Sequence, residues 1–185
     1  MRKSLAVAAA LTAVAPTSIA LQASAHEGAT GIVETRMHAM KKMGKATRSL
    51  KDMMADKDSY SADDVRKQAK IIKLHAGRKL TKQFPEGSLQ EPTHAKPEIW
   101  TDWDRFSQLA NQLENLASGL ELAADNGLMM EGRGSMMNGK AHMSGRMGSS
   151  TPDPNVLGQM PADGVYSMLV ETCAACHSAF RARKP

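Results

Sequence analysis

Residues 162–181 read ADGVYSMLVETCAACHSAFR, and this stretch decides the fold. Val165, Leu169, Cys173, Cys176 and Phe180 recur at steps of three and four, the spacing of one helix face. The helix carries the run C-A-A-C-H, which places Cys173, Cys176 and His177 at i, i+3 and i+4. Such positions are neighbours on a helix surface, so one helix can present all three to one flat ligand. Two thiols in this frame can each add to a vinyl group of a porphyrin, and the adjacent imidazole then reaches the iron. The competing readings need more than the chain offers. Cys173 and Cys176 are its only cysteines. A structural zinc site wants four ligands, and no second pair exists. A thioredoxin-like pair wants a βαβ setting, and no strand alternation is present. The run therefore reads as the anchor of one covalently attached haem c. Cys173 and Cys176 form the thioethers, and His177 is the proximal iron ligand.

Upstream of this helix, 128–158 is rich in Gly, Met and Ser and holds Pro152 and Pro154. It shows no periodic core pattern and is expected to be a flexible insert. Met129, Met130, Met136, Met137, Met143 and Met147 lie in it, with His142 beside Met143. Soft thioethers favour Cu(I), so copper binding, joined by an amino terminus at His26, is a lesser alternative to a plain linker.

Three further helices precede the insert. From 30 to about 55, Val33, Arg36, Met40, Met43, Thr47, Leu50 and Met54 form a mostly apolar stripe. Ser61 reads as an N-cap with Asp64 at N3. A second helix follows to about residue 83, with Val65, Ala69, Ile72, Ala76 and Leu80 inward. Residues 84–97 read as a loop broken by Pro85, Gly87, Pro92 and Pro97. A third helix begins near 101 or 102, with Trp103, Phe106, Ala110, Leu113, Ala117, Leu120 and Ala124 inward and Gly127 just past its end. The fold expected is all-α, an antiparallel four-helix bundle with haem near the C-terminus.

The chain begins with Arg2 and Lys3, an apolar stretch from 5 to 15, and Ala23-Ser24-Ala25. That is the pattern of a secretory signal peptide over 1–25, leaving a single domain over 26–185. The apolar stretch is too short to span a membrane. Loss of Arg2 and Lys3 lowers the formal charge from +5 to +3. That mild excess, without basic clusters interleaved with aromatics, does not suggest nucleic acid. Export to the periplasm suits the haem motif, since c-type attachment takes place outside the cytoplasm.

Three segments together resemble the class II c-type cytochromes, the cytochrome c′ family and its low-spin relatives. They are RMHAM at 36–40, KPEIWTD at 96–102 and CAACHSAFR at 173–181. The resemblance covers the chain from about Gly31 to its end, the insert apart. It implies a four-helix bundle with Cys173 and Cys176 holding haem and His177 as proximal ligand. It places Arg36 near a haem propionate, Trp100 near the haem edge and Arg181 on the proximal side. It also places Met40, four residues after Arg36, over the distal face of the iron. Many members are homodimers through their first two helices.

Met40 then separates two functions. A thioether opposite His177 gives a six-coordinate, low-spin centre of raised potential, suited to electron transfer with redox partner proteins. A methionine that only packs over an open iron leaves room for nitric oxide or carbon monoxide. The electron carrier is the leading expectation and the gas-binding protein the alternative. Met37 and Met43 are rivals for the distal place, and Met commonly fills core gaps. His38, His75 and His94 read as surface histidines. No distal His and Arg pair with recognisable spacing appears, so an enzyme is not expected. Arg181, Arg183 and Lys184 can steer an acidic partner.

Overall fold

The computed structural model describes residues 29–129 and 153–183. The proposed signal peptide, His26, Lys184 and every insert methionine except Met129 lie outside the described residues. The chain forms α1 (Gly31–Ala55), α2 (Ala62–Lys73), α3 (Gly77–Thr81), α4 (Glu98–Thr101), α5 (Trp103–Ala123), α6 (Pro154–Leu157) and α7 (Ala162–Phe180). Among the described residues the one β-type pairing is an isolated bridge between Ala95 and Arg181.

Four of these helices build the core. α1 packs on α2 and α7, and α5 packs on α2 and α7. The four therefore form a ring in the order α1, α2, α5, α7, with α1 diagonal to α5. The expected inward faces are met at most positions. Val65, Ala69, Ile72, Ala76 and Leu80 are all buried, as are Val165, Leu169 and Phe180. Each fully buried Leu, Ile or Val contributes about 1.5–3 kcal/mol. On α1, Met40, Thr47 and Met54 lie at the border of the buried face, and Ala39, Ala46 and Met53 are buried in their place.

The ends of the elements follow local chemistry. Ser61 caps α2 as expected, its side chain accepting from the Asp64 N–H at 3.3 Å. The Tyr60 hydroxyl just before it donates to the Ala124 carbonyl at 2.6 Å, tying this corner to the end of α5. Gly127 lies beyond α5 and a short 3-10 turn at Ala124–Asn126, with a positive φ of 68°.

Three expectations are corrected. The second helix does not run unbroken to residue 83. It stops after Lys73, and α3 restarts at Gly77 with φ 57°. That left-handed φ is one that L side chains rarely adopt, and a Cβ at Gly77 would also meet the Glu114 side chain of α5. Trp103 is not inward. It is 39% exposed at the first turn of α5, where its ring leans on Phe106 at 5.6 Å. The insert does not extend to Gly158. Leu157 is buried against Gly119, where a Cβ would meet its side chain, so α6 belongs to the core. Pro154 opens α6 and the Asp153 side chain caps it, accepting from the Asn155 N–H at 2.7 Å.

Candidate functional site

The core divides into two apolar clusters, and Met40, Cys173, Cys176 and Trp100 pack against one or both of them. One cluster is aliphatic and centres on Leu50, Ile72, Leu116, Leu120, Val165 and Leu169. The other is aromatic and joins Leu80, Phe84, Ile99, Phe106, Ala110 and Phe180. Phe106 meets Phe84 and Phe180 edge-on, with ring centroids 5.1 and 5.4 Å away. That geometry suits the ring quadrupoles. Cys173 packs against the aliphatic cluster and Cys176 against the aromatic one, while Met40 touches both. Its rival Met43 lies wholly within the aliphatic cluster. Met40 and Cys173 thus share the aliphatic cluster, and Met40 and Cys176 the aromatic one.

Both cysteines are free thiols, and burial pushes each pKa up to about 11. A redox pair works through a thiolate of lowered pKa. Burial holds these thiols in the opposite, protonated state, unlike a redox pair. His177 follows on the more open side of α7. Partial burial, then the nearby charge of Arg181, lowers its pKa and favours the neutral imidazole that metal binding requires. Arg181 caps α7, its backbone N–H donating to the His177 carbonyl at 3.1 Å. The loop before α4 secures this end of the helix. Lys96 Nζ donates to the Ala179 carbonyl at 2.8 Å, and the Ala182 N–H donates to the His94 carbonyl at 2.8 Å.

Arg36 sits one turn before Met40 and is only 3% exposed. Among the described residues it pairs with no carboxylate. Its guanidinium lies 4.8 Å over the Phe84 ring. Nη1 donates to the Gln83 carbonyl and the Ser88 hydroxyl, both at 3.3 Å, and Nη2 donates to the Ser88 carbonyl. Nε is buried without a partner. Burial lowers the Arg36 pKa, and a buried cation lacking a counter-ion is costly. An incoming carboxylate would relieve both costs. Trp100, part-buried against the aromatic cluster, donates from Nε1 to the Phe84 carbonyl at 3.1 Å.

These residues fit haem. The paired thiols and imidazole on one helix suit its attachment, the apolar junction suits its flat ring, and the orphaned Arg36 Nε suits a propionate. Gln83, Phe84 and Ser88 were missed by sequence reasoning. Their one signal is the P-E-G-S turn at 85–88, which does not reveal what it faces. Among the described residues no group of three or more His, Cys, Asp or Glu side chains could hold a separate metal ion. Of the methionines proposed for copper, only Met129 is described, and it is exposed. His38 is exposed and 3.7 Å from Glu34 on its own helix. No helix among the described residues is long and apolar enough to cross a membrane.

A family model described as Cytochrome C′ matches residues 31–143, more than half of the chain. No curated protein matches at the sequence level. Several solved structures share the fold. Cytochrome c′ from Thermochromatium tepidum is 21% identical with a TM-score of 0.58, over 82% of this chain and 95% of that one. Cytochrome c′ from Rhodopseudomonas palustris is 22% identical with a TM-score of 0.57, over 85% and 100%. A nitric oxide complex of a mutant cytochrome c prime from Alcaligenes xylosoxidans is 19% identical with a TM-score of 0.56, over 82% and 94%. With the family match spanning most of three helices and the thiol pair on the fourth, the chain belongs to the cytochrome c′ family and its cofactor is covalently attached haem c.

Proposed function

We propose that this protein binds a small gas, nitric oxide or carbon monoxide, at the face of the haem opposite His177. Haem supplies the iron. Cys173 and Cys176 would hold the ring by thioether bonds, and His177 would supply the imidazole ligand to its iron. Arg36 carries the charge facing a propionate, Trp100 borders the ring edge and Arg181 lies beside the proximal histidine. The observation that carries the gas reading is the fold shared with a nitric oxide complex of a cytochrome c prime. It reverses the order expected from sequence, where electron transfer came first. The apolar surroundings of Met40 agree, because they offer a neutral diatomic a dry place and no competing charged ligand.

The second reading is an electron carrier with Met40 as sixth ligand. It rests on Met40 packing against both clusters, the aliphatic one that Cys173 also touches and the aromatic one that Cys176 touches. The visible spectrum of the reduced holoprotein with and without carbon monoxide separates the two. A broad high-spin spectrum that shifts on adding the gas supports gas binding. A sharp low-spin α band that does not change overturns it. In the second case Met40→Ala should turn the spectrum high-spin.

The same reading includes export to the periplasm after loss of 1–25, and a single domain from His26. Acidic redox proteins are the partners on the carrier reading. One solved relative is described as a cytochrome c′ with ligand-controlled dimer dissociation, which supports a homodimer here as well. Binding rather than turnover is the role proposed.

A further inference from the structure

The Arg36 guanidinium is held by a turn far from it in sequence. The Ser88 N–H donates to the Pro85 carbonyl at 3.2 Å, closing a four-residue turn, and Gly87 takes the positive φ of 79° that a type II turn needs at its third position. The turn fixes Ser88, which is buried at 7% exposure. Ser88 then supplies two of the three acceptors on Arg36, its hydroxyl for Nη1 and its carbonyl for Nη2. The Phe84 ring supports the guanidinium from one side, and Trp100 Nε1 holds the Phe84 carbonyl. A guanidinium has five N–H donors in a rigid plane. Among the described residues the three bonds to protein leave Nε–H and one Nη2–H without an acceptor, and Nε is buried. A carboxylate can take two such donors in parallel.

We propose that Ser88 is a positioning residue, which locks the plane of Arg36 and reserves its Nε–H for a haem propionate. The proposal rests on the haem and propionate reading above and adds the residue that makes the contact rigid. A cation held beside the propionate opposes the ferric charge, so it raises the reduction potential of the iron. Loosening that cation lowers the potential without removing any ligand.

The test measures the reduction potential of the holoprotein at one pH and ionic strength, together with the nitrogen-15 NMR signal of Arg36 Nε–H. Arg36→Gln should lower the potential. Ser88→Ala should lower it in the same direction by a smaller amount and speed solvent exchange of the Nε proton. Ser88→Thr, which keeps the hydroxyl, should restore both. Gly87→Ala, which strains the turn without touching Arg36, should act like Ser88→Ala. If Arg36→Gln shifts the potential and Ser88→Ala leaves both readouts at the parental values, the role of Ser88 is overturned and the propionate reading stands. If Arg36→Gln leaves the potential unchanged, the propionate reading itself fails.

Discussion

The two ends of the bundle solve different problems. The aliphatic end, around Leu50, Leu116, Leu120 and Val165, is complete as it stands: its apolar side chains are buried and its corners are closed by bonds such as Tyr60 to Ala124. The aromatic end, around Phe84, Phe106 and Phe180, buries Arg36, which has no counter-ion and no partner for Nε among the described residues. A core built only for stability would not keep such a charge. The difference separates two tasks: most of the aliphatic cluster holds the fold, while the aromatic end, with the Cys173 border of the aliphatic one, suits an acidic, flat guest.

The comparison can be broken at several levels. The largest effect is expected from replacing both Cys173 and Cys176 by Ala. Covalent haem should vanish, read as loss of haem staining on a denaturing gel. The aliphatic end should survive, read as retained helical circular dichroism. Leu120→Ala should cost about 2–5 kcal/mol by denaturant unfolding, the loss expected for a fully buried leucine. That loss should be similar with and without haem, because Leu120 belongs to the complete end. Phe106→Ala, at the other end, should cost a comparable amount and differ between the two forms. Tyr60→Phe removes one hydrogen bond and should cost about 1 kcal/mol.

The smallest effect concerns pH. Burial, then the charges of Lys42 and Lys79, lowers the His75 pKa below its ordinary value. The unfolded chain therefore takes up this proton at a higher pH than the folded one. The stability contributed by neutral His75 is present above the ordinary histidine value near 6.5. It is lost as pH falls through the lowered folded value. His75→Gln should flatten that part of a stability profile measured by chemical unfolding; an unchanged profile would remove His75 from the account.

What could be read from sequence followed from how local each feature is. Cys173, Cys176 and His177 are spaced by the chemistry of a single ligand, so five residues identify it. The inward faces of α2 and α7 follow from the helical period alone. The Arg36 clamp was hidden because Ser88 meets it across 52 residues of chain, and hydrogen bonds of that range leave no periodic trace. Trp103 obeyed the period yet stands 39% exposed at the first turn of α5, leaning on Phe106. The break before α3 had a visible sign in Gly77, which takes the positive φ, but the Glu114 side chain packed close to it lies on another helix.

The borders of the insert carry a last consequence. Asn126 donates to the Gly158 and Met160 carbonyls at 2.8 and 2.7 Å, the Ala162 N–H donates to the Gly127 carbonyl at 2.9 Å, and the Met129 N–H reaches Asp163 at 3.1 Å. Both borders are thus fastened to the entrance of α7. The entropy of closing a chain between fixed points grows only with the logarithm of its length, about 0.6 kcal/mol per doubling. The cost of joining these two borders is therefore set by bonds in the described framework, which hold residues 129 and 153 on the same side of the bundle's α7 entrance whatever the length between them. Any excision meant to leave the bundle whole must stop short of Asp153, since Leu157 and Gly158 already belong to the framework.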